Sequence, residues 1–176
     1  MQRRKYTMHN YALIISIATP LATLMGVFWA IYQYAKEATR KKRNETLKVY
    51  NELFDATYEI REAYYKETKD LLFTSDKIHA SPELYKKILV LLTHFESFSK
   101  GLEYEIYDFE IFIYLTPKEM FEILHSLEQF VYKERDIKAY QLLFNDFIRL
   151  VDVMSLCLSK KIKGEKFIKK YKKIKV

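Results

Sequence analysis

Residues 6–35 contain no Asp, Glu, Lys or Arg, and basic residues crowd both ends of that stretch. Between Tyr11 and Tyr34 the chain is apolar enough to predict one membrane-crossing helix. About 24 residues at ~1.5 Å rise cover ~36 Å, against a hydrocarbon core of ~30 Å. The organisation that follows is a basic flank at 1–10, a transmembrane helix at 11–35, a cytosolic helical domain at 36–158 and a Lys-rich tail at 159–176.

Orientation follows from the flanks. Arg3, Arg4 and Lys5 precede the apolar run, whereas Lys36, Arg40, Lys41, Lys42 and Arg43 follow it with only Glu37 opposing. The richer basic side stays in the cytoplasm. The expected placement is therefore single-pass in the inner membrane, with the N-terminus outside and the C-terminal domain inside. A translation start at Met8 instead of Met1 would strengthen that orientation. A cleaved signal peptide has a shorter apolar region of ~7–15 residues ending in a small-residue site. Here the run continues through Phe28, Trp29 and Tyr32 without one.

The net charge of +7 conceals three blocks. Residues 1–43 hold 8 basic and 1 acidic side chain, residues 44–158 hold 13 and 21, and residues 159–176 hold 9 Lys and 1 Glu. The middle is acidic and the ends are basic. Lys41, Lys42, Arg43, Lys169, Lys170, Lys172 and Lys173 are the candidate membrane-surface contacts, because Lys near an anionic leaflet gains ~1 kcal/mol each. Ile162, Phe167, Ile168, Tyr171 and Ile174 interleave with the tail lysines. A solvated Lys tail is the competing reading. Nucleic acid is disfavoured as a partner, since the tail lacks Arg and the middle domain is acidic.

Gly and Pro number three each, and neither occurs between Gly26 and Pro82. A long helix is expected to continue from the apolar run to about Leu72. Leu47, Tyr50, Phe54, Thr57, Tyr64, Thr68 and Leu71 follow an a/d-like rhythm, which a packed face explains better than a coiled-coil seam. Residues 73–81 read as a linker. Ser81 and Pro82 read as N-cap and first residue of a helix that ends at Lys100 and Gly101. Residues 108–115 read as a short helix. Thr116, Pro117 and Glu119 form a capping-box pattern that opens the next helix. A last helix is expected over about 136–160, carrying Tyr140, Leu143, Phe144 and Phe147. The fold class is thus all-α, a small helical bundle. Cys157 is alone, on an apolar face, and reads as a buried small hydrophobe.

Ala18, Ala22, Gly26 and Ala30 recur every four residues and form one small-residue stripe. That pattern permits close helix–helix approach, so self-association is expected there. Glu122 and His125 match half of a di-iron motif, but only one copy exists, so no metal site is assigned. His94 and Glu96 should point apart on a helix. His9, His79, His94 and His125 have no evident Ser or Cys partner, and no Walker loop or nucleophile elbow occurs. No catalytic residue and no cofactor are expected, and the chain does not read as an enzyme. A nucleotide would need convergent cations. Arg61, Arg135 and Arg149, the arginines of the middle domain, are the candidate ligand-binding residues.

The segment from Leu91 to Asp108, with Phe95, Glu96, Gly101, Ile106 and Asp108 at its marked positions, resembles the central motif of a family of short bacterial and prophage proteins of unknown function. Arg135 to Tyr140 is similar to that family's closing helix. The resemblance covers about residues 8–150, and the Lys-rich tail departs from it. It implies one N-terminal span, a basic helix and a small helical domain, and its setting in mobile elements implies phage exclusion or defence. The expected function is a membrane-anchored cytosolic interaction module, self-associating, with a cytosolic or membrane protein partner. The rival is a ligand-gated effector that senses a nucleotide or phage product and disrupts the membrane.

Overall fold

The computed structural model describes the backbone of residues 2–138 and 142–160, with side chains over 18–137 and 142–157. Six helices follow in order: α1 (Gln2–Thr68), α2 (Ser75–Ala80), α3 (Pro82–Glu103), α4 (Phe109–Leu115), α5 (Lys118–Lys138) and α6 (Asn145–Lys160). No strand occurs among the described residues. The chain divides into two units, one ending at Lys41 and the other beginning at Lys42.

In the first unit the helix runs through Pro20 without a break in assignment. Thr23 Oγ1 donates to the Thr19 carbonyl at 2.9 Å, and Thr39 Oγ1 to Ala35 at 2.9 Å. Among the described residues no helix is long and apolar enough to cross a membrane. The expected transmembrane helix and the single-pass inner-membrane placement are therefore corrected. The physical reason is dilution: from Ala18 onward the apolar residues alternate with Thr19, Pro20, Thr23, Gly26, Tyr32, Gln33 and Tyr34. Residues 11–17 of the expected span lie outside the described side chains.

In the second unit the α1 stripe packs into a core. Tyr50, Leu53, Thr57, Ile60 and Tyr64 are buried, whereas Leu47 and Leu71 are exposed. The Thr57 hydroxyl donates to the Leu53 carbonyl at 2.6 Å, which satisfies that buried polar group within the helix. At one end Thr46 accepts the Asp108 backbone N–H at 2.7 Å, and the Tyr50 hydroxyl donates to the Leu115 carbonyl at 2.8 Å. At the other end the Tyr64 hydroxyl accepts the Thr74 N–H at 3.1 Å, and the Tyr64 ring meets Phe73 edge-on at 4.9 Å.

Several expected boundaries move. The first helix stops at Thr68, short of Leu72, because Lys69 turns left-handed at φ 62 and its N–H bonds Tyr65 at 2.9 Å. The expected linker at 73–81 contains α2, drawn in by fully buried Ile78. Ser81 precedes α3 as predicted, but its side chain makes no capping bond. Gly101 does not end α3: it is buried inside the last turn, and its carbonyl accepts the Ile106 N–H at 2.8 Å. Glu105, at φ 60, supplies the left-handed residue, with its N–H on Leu102 at 3.2 Å. These two bonds form a Schellman closure built on Glu instead of Gly.

Asp108 caps α4, accepting the Glu110 and Ile111 N–H groups at 3.1 and 3.3 Å. The short helix at 108–115 is present as read. Thr116 does not open α5; its hydroxyl donates back to Phe112 at 2.8 Å and closes α4. The Pro117 carbonyl accepts the Phe121 N–H at 3.2 Å, so α5 starts one residue later than the capping box predicts. The single last helix over 136–160 is likewise corrected. α5 ends at Lys138 and α6 begins at Asn145, with Phe144 left-handed at φ 52. Tyr140 lies outside the described residues.

The spacing predicts a core face of Leu84, Ile88, Leu91, Leu92, Phe95 and Phe98 on α3 and of Met120, Phe121, Leu124, Leu127 and Val131 on α5; all are buried except Phe121, which is half-buried. Each such side chain contributes ~1.5–3 kcal/mol on burial. A Cβ at Gly101 would strike Cε2 and Cδ2 of the Tyr107 ring, which packs against Phe98 at 5.0 Å. Gly101→Ala gains ~1 kcal/mol of helix propensity and loses ~1–3 kcal/mol to overpacking. The expected net result is a lower urea midpoint, and an unchanged or higher midpoint would show that Tyr107 yields without cost.

Candidate functional site

Helix α1 presents Val49, Leu53, Ala56 and Ile60 at spacings of four, three and four. Helix α3 presents Lys87, Leu91, His94 and Phe98 at the same spacings. Each row forms one helical ridge, and two contiguous hollows lie between them, about 460 and 380 Å³. Ala56 and His94 line both, so the hollows make one groove. Its floor is apolar: Leu53, Leu91 and Phe98 are buried beneath it. Val90 stands on the wall at 49% exposure. Glu52 and Glu59 edge the α1 side, while Lys86 and the Glu83–Lys87 pair (3.4 Å) edge the α3 side.

A second hollow of about 520 Å³ lies along α1, lined by Tyr58, Arg61, Tyr65 and Leu71 with Asp55, Glu59 and Glu62. Arg61 sits over the Tyr58 ring at 5.8 Å. Three carboxylates around one guanidinium make this a poor place for a phosphate. Arg135 donates from Nε to the Leu143 carbonyl at 2.9 Å and lies over Tyr132. Arg149 pairs with Asp146 at 3.3 Å and Glu103 at 3.7 Å. Arg61, Arg135 and Arg149 thus each meet a different set of neighbours.

The di-iron half-motif also comes apart. His125 Nδ1 faces Glu128 at 2.7 Å, and Glu122 pairs with Lys118 at 3.3 Å. No group of His, Cys, Asp or Glu suited to a metal ion occurs among the described residues. Arg43, an expected membrane-surface contact, lies 3.4 Å from Asp108. Lys41 is exposed and Lys42 half-buried. Lys169, Lys170, Lys172 and Lys173 lie outside the described residues. Ala18, Ala22, Gly26 and Ala30 share an exposed helix, and a Cβ added at Gly26 meets nothing within 4 Å.

Two polar constellations had no local signal in the sequence. Glu134 is fully buried, yet the Tyr85 hydroxyl donates to its Oε2 at 2.7 Å and His79 Nε2 lies 2.6 Å from its Oε1. His79 stacks on Tyr85 at 5.1 Å and touches Phe130 at 6.0 Å. One carboxylate thus ties α2, α3 and α5 together. Glu96 Oε2 accepts the Phe147 N–H at 2.8 Å, a helix-start bond supplied from another helix. Burial still holds Glu96 above the usual carboxylate range, against that bond. His94 lines the groove, so His94 and Glu96 do point apart.

Burial also raises Glu128, aided by Asp152, while hydrogen bonds from His125 and Tyr132 oppose the rise. A carboxyl whose pKa is higher folded than unfolded loses stability as pH climbs from the ordinary glutamate value through the raised one. Glu128→Gln removes that loss. The variant should gain on the unmodified chain in melting temperature as pH climbs above the ordinary glutamate value of about 4. A difference that stays constant with pH would contradict the raised value.

Burial raises the Cys157 thiol as well, in keeping with its apolar surroundings. No curated protein and no solved structure matches the chain. One family matches residues 20–154, which takes in most of α1, all of α2 to α5 and ten residues of α6. The chain belongs to that family, described as a domain of unknown function (DUF4760).

Proposed function

We propose that this protein is a helical interaction module that self-associates through the first part of α1 and presents the second unit to a protein partner. The observation that carries this reading is exposure. Leu24, Met25, Phe28, Trp29 and Ile31 are each between 55% and 70% exposed on one uninterrupted helix. A helix apolar on most sides is stable only when something covers it. A second copy is the cover that the small-residue stripe favours. Ala18, Ala22, Gly26 and Ala30 leave a channel along which another helix can approach closely and gain dispersion contact.

The Gly26 test is clean because an added side chain meets nothing in the single chain. Gly26→Leu should even raise helix propensity by ~1 kcal/mol. In mild detergent, light scattering on the full chain should show an oligomer for the unmodified protein and a shift toward the single-chain mass for Gly26→Leu. Equal masses for the two would contradict self-association through this stripe.

A further inference from the structure

The two helices that wall the groove run antiparallel. Glu52 and Leu53 of α1 share one hollow with His94 and Phe98, late in α3. Glu59 and Ile60 share the other with Lys86, Lys87 and Val90, earlier in α3. Glu52, Ala56 and Glu59 follow one another at steps of four and three, and so do His94, Val90 and Lys87 read backwards. The two rows therefore match level by level: Glu52 with His94, Ala56 with Val90, Glu59 with Lys87.

The edges carry opposite charge. Glu52 and Glu59 line the α1 edge, and Lys86 and Lys87 line the α3 edge, with Glu83 held by Lys87 at 3.4 Å. Glu52, Glu59 and Lys86 are exposed, and none has an ion-pair partner among the described residues. Between the edges stand Val90, 49% exposed, and half-buried Val49 and Ala56.

A face with one acidic edge, one basic edge and an apolar strip between them is complementary to itself. Two copies paired face to face are related by a two-fold axis lying in the contact plane. An axis parallel to the groove keeps every residue at its level and exchanges the edges, so α1 of each copy lies over α3 of the other. Glu59 then meets Lys86 and Lys87 of the second copy, Glu52 meets His94, and Val90 lies over Ala56, whose small side chain leaves room. An axis across the groove would set carboxylates against carboxylates, which like-charge repulsion opposes. A partner with a single basic row would match the α1 edge alone, whereas a second copy matches both edges at once. The paired faces place four helices around one interior, an ordinary bundle geometry.

We infer that the α1–α3 groove is a two-fold contact between copies of this chain, with Glu59 of each copy on Lys86 and Lys87 of the other and Val90 over Ala56. The contact lies within the second unit and does not rest on the self-association proposed for the first part of α1.

Zero-length carbodiimide coupling, which joins a carboxylate to an amine that touches it, tests the contact in the full chain. Isotopically light and heavy protein are mixed in equal amounts in mild detergent, coupled and mapped. Products joining Glu59 of one isotope to Lys86 or Lys87 of the other are expected, and their absence overturns the inference. Two complementary variants supply a second reading. Glu52→Lys with Glu59→Lys makes both edges basic, and Lys86→Glu with Lys87→Glu makes both acidic. Neither variant alone can form the product, since one lacks the carboxylates and the other the amines. Mixed together, they should join Glu59 of the acidic variant to Lys86 or Lys87 of the basic one. Adding Val90→Asn to both should lower that yield at least about tenfold, because each copy loses an apolar contact. A fall with Val90→Asn that is also seen in a Gly26→Leu background supports the groove even where the stripe contact fails. A yield indifferent to Val90→Asn overturns the inference, and its loss with Gly26→Leu would then show that the stripe alone holds the copies together.

Discussion

The second unit depends on how α1 is fastened. One latch joins Thr46 and Tyr50 to the backbone of Asp108 and Leu115, on either flank of α4. The other joins Tyr64 to Thr74 at the entry to α2. Between these latches the inner side, Leu53, Thr57 and Ile60, is buried and the outer side is bare. A helix covered on its inner side alone leaves hollows along its flanks. The groove against α3 and the aromatic hollow around Tyr58 are those hollows.

One buried carboxylate, Glu134, and one half-buried, Glu96, join the other helices. A buried charge costs several kcal/mol unless it is paired and hydrogen-bonded. Glu134 meets that condition with Tyr85 and His79, and Glu96 with the start of α6. Both bring separate helices together at a fixed register, which apolar packing alone specifies less sharply. Neither lines a described hollow, so they read as framework. The aromatic abundance of the chain has the same explanation. Phe98, Tyr107, Phe112 and Tyr50 form a chain of tilted and edge-on contacts 5.0 to 6.1 Å apart. They consolidate the packing between α3, α4 and α1.

The all-helical class and the buried face of α3 were legible because apolar spacing is a local signal, and the short α4 because no strand candidate exists to pair with that stretch; the Asp108 cap that starts it went unread. Helix ends were less so. At Lys69, Glu105 and Phe144 a residue other than Gly takes the left-handed turn, so no punctuation marks the stop. Gly101 misled for the complementary reason: it is small to admit the Tyr107 ring, not to turn the chain. Thr116 is ambiguous in sequence, since a hydroxyl between two helices can cap either one. The placement in a membrane failed because length without charge is not sufficient apolarity over the described residues. The groove itself was out of reach. Val49, Ala56, Val90 and His94 belong to two distant stretches, and only packing brings them side by side.

The proposed role is that of a module that meets other copies of itself through exposed apolar surface in the first part of α1. Sedimentation equilibrium of the unmodified full chain, at several concentrations in density-matched mild detergent, tests that claim most directly. The account predicts a discrete assembly heavier than the 21.3 kDa chain, dissociating toward it on dilution. A mass that stays at 21.3 kDa at every concentration would contradict it.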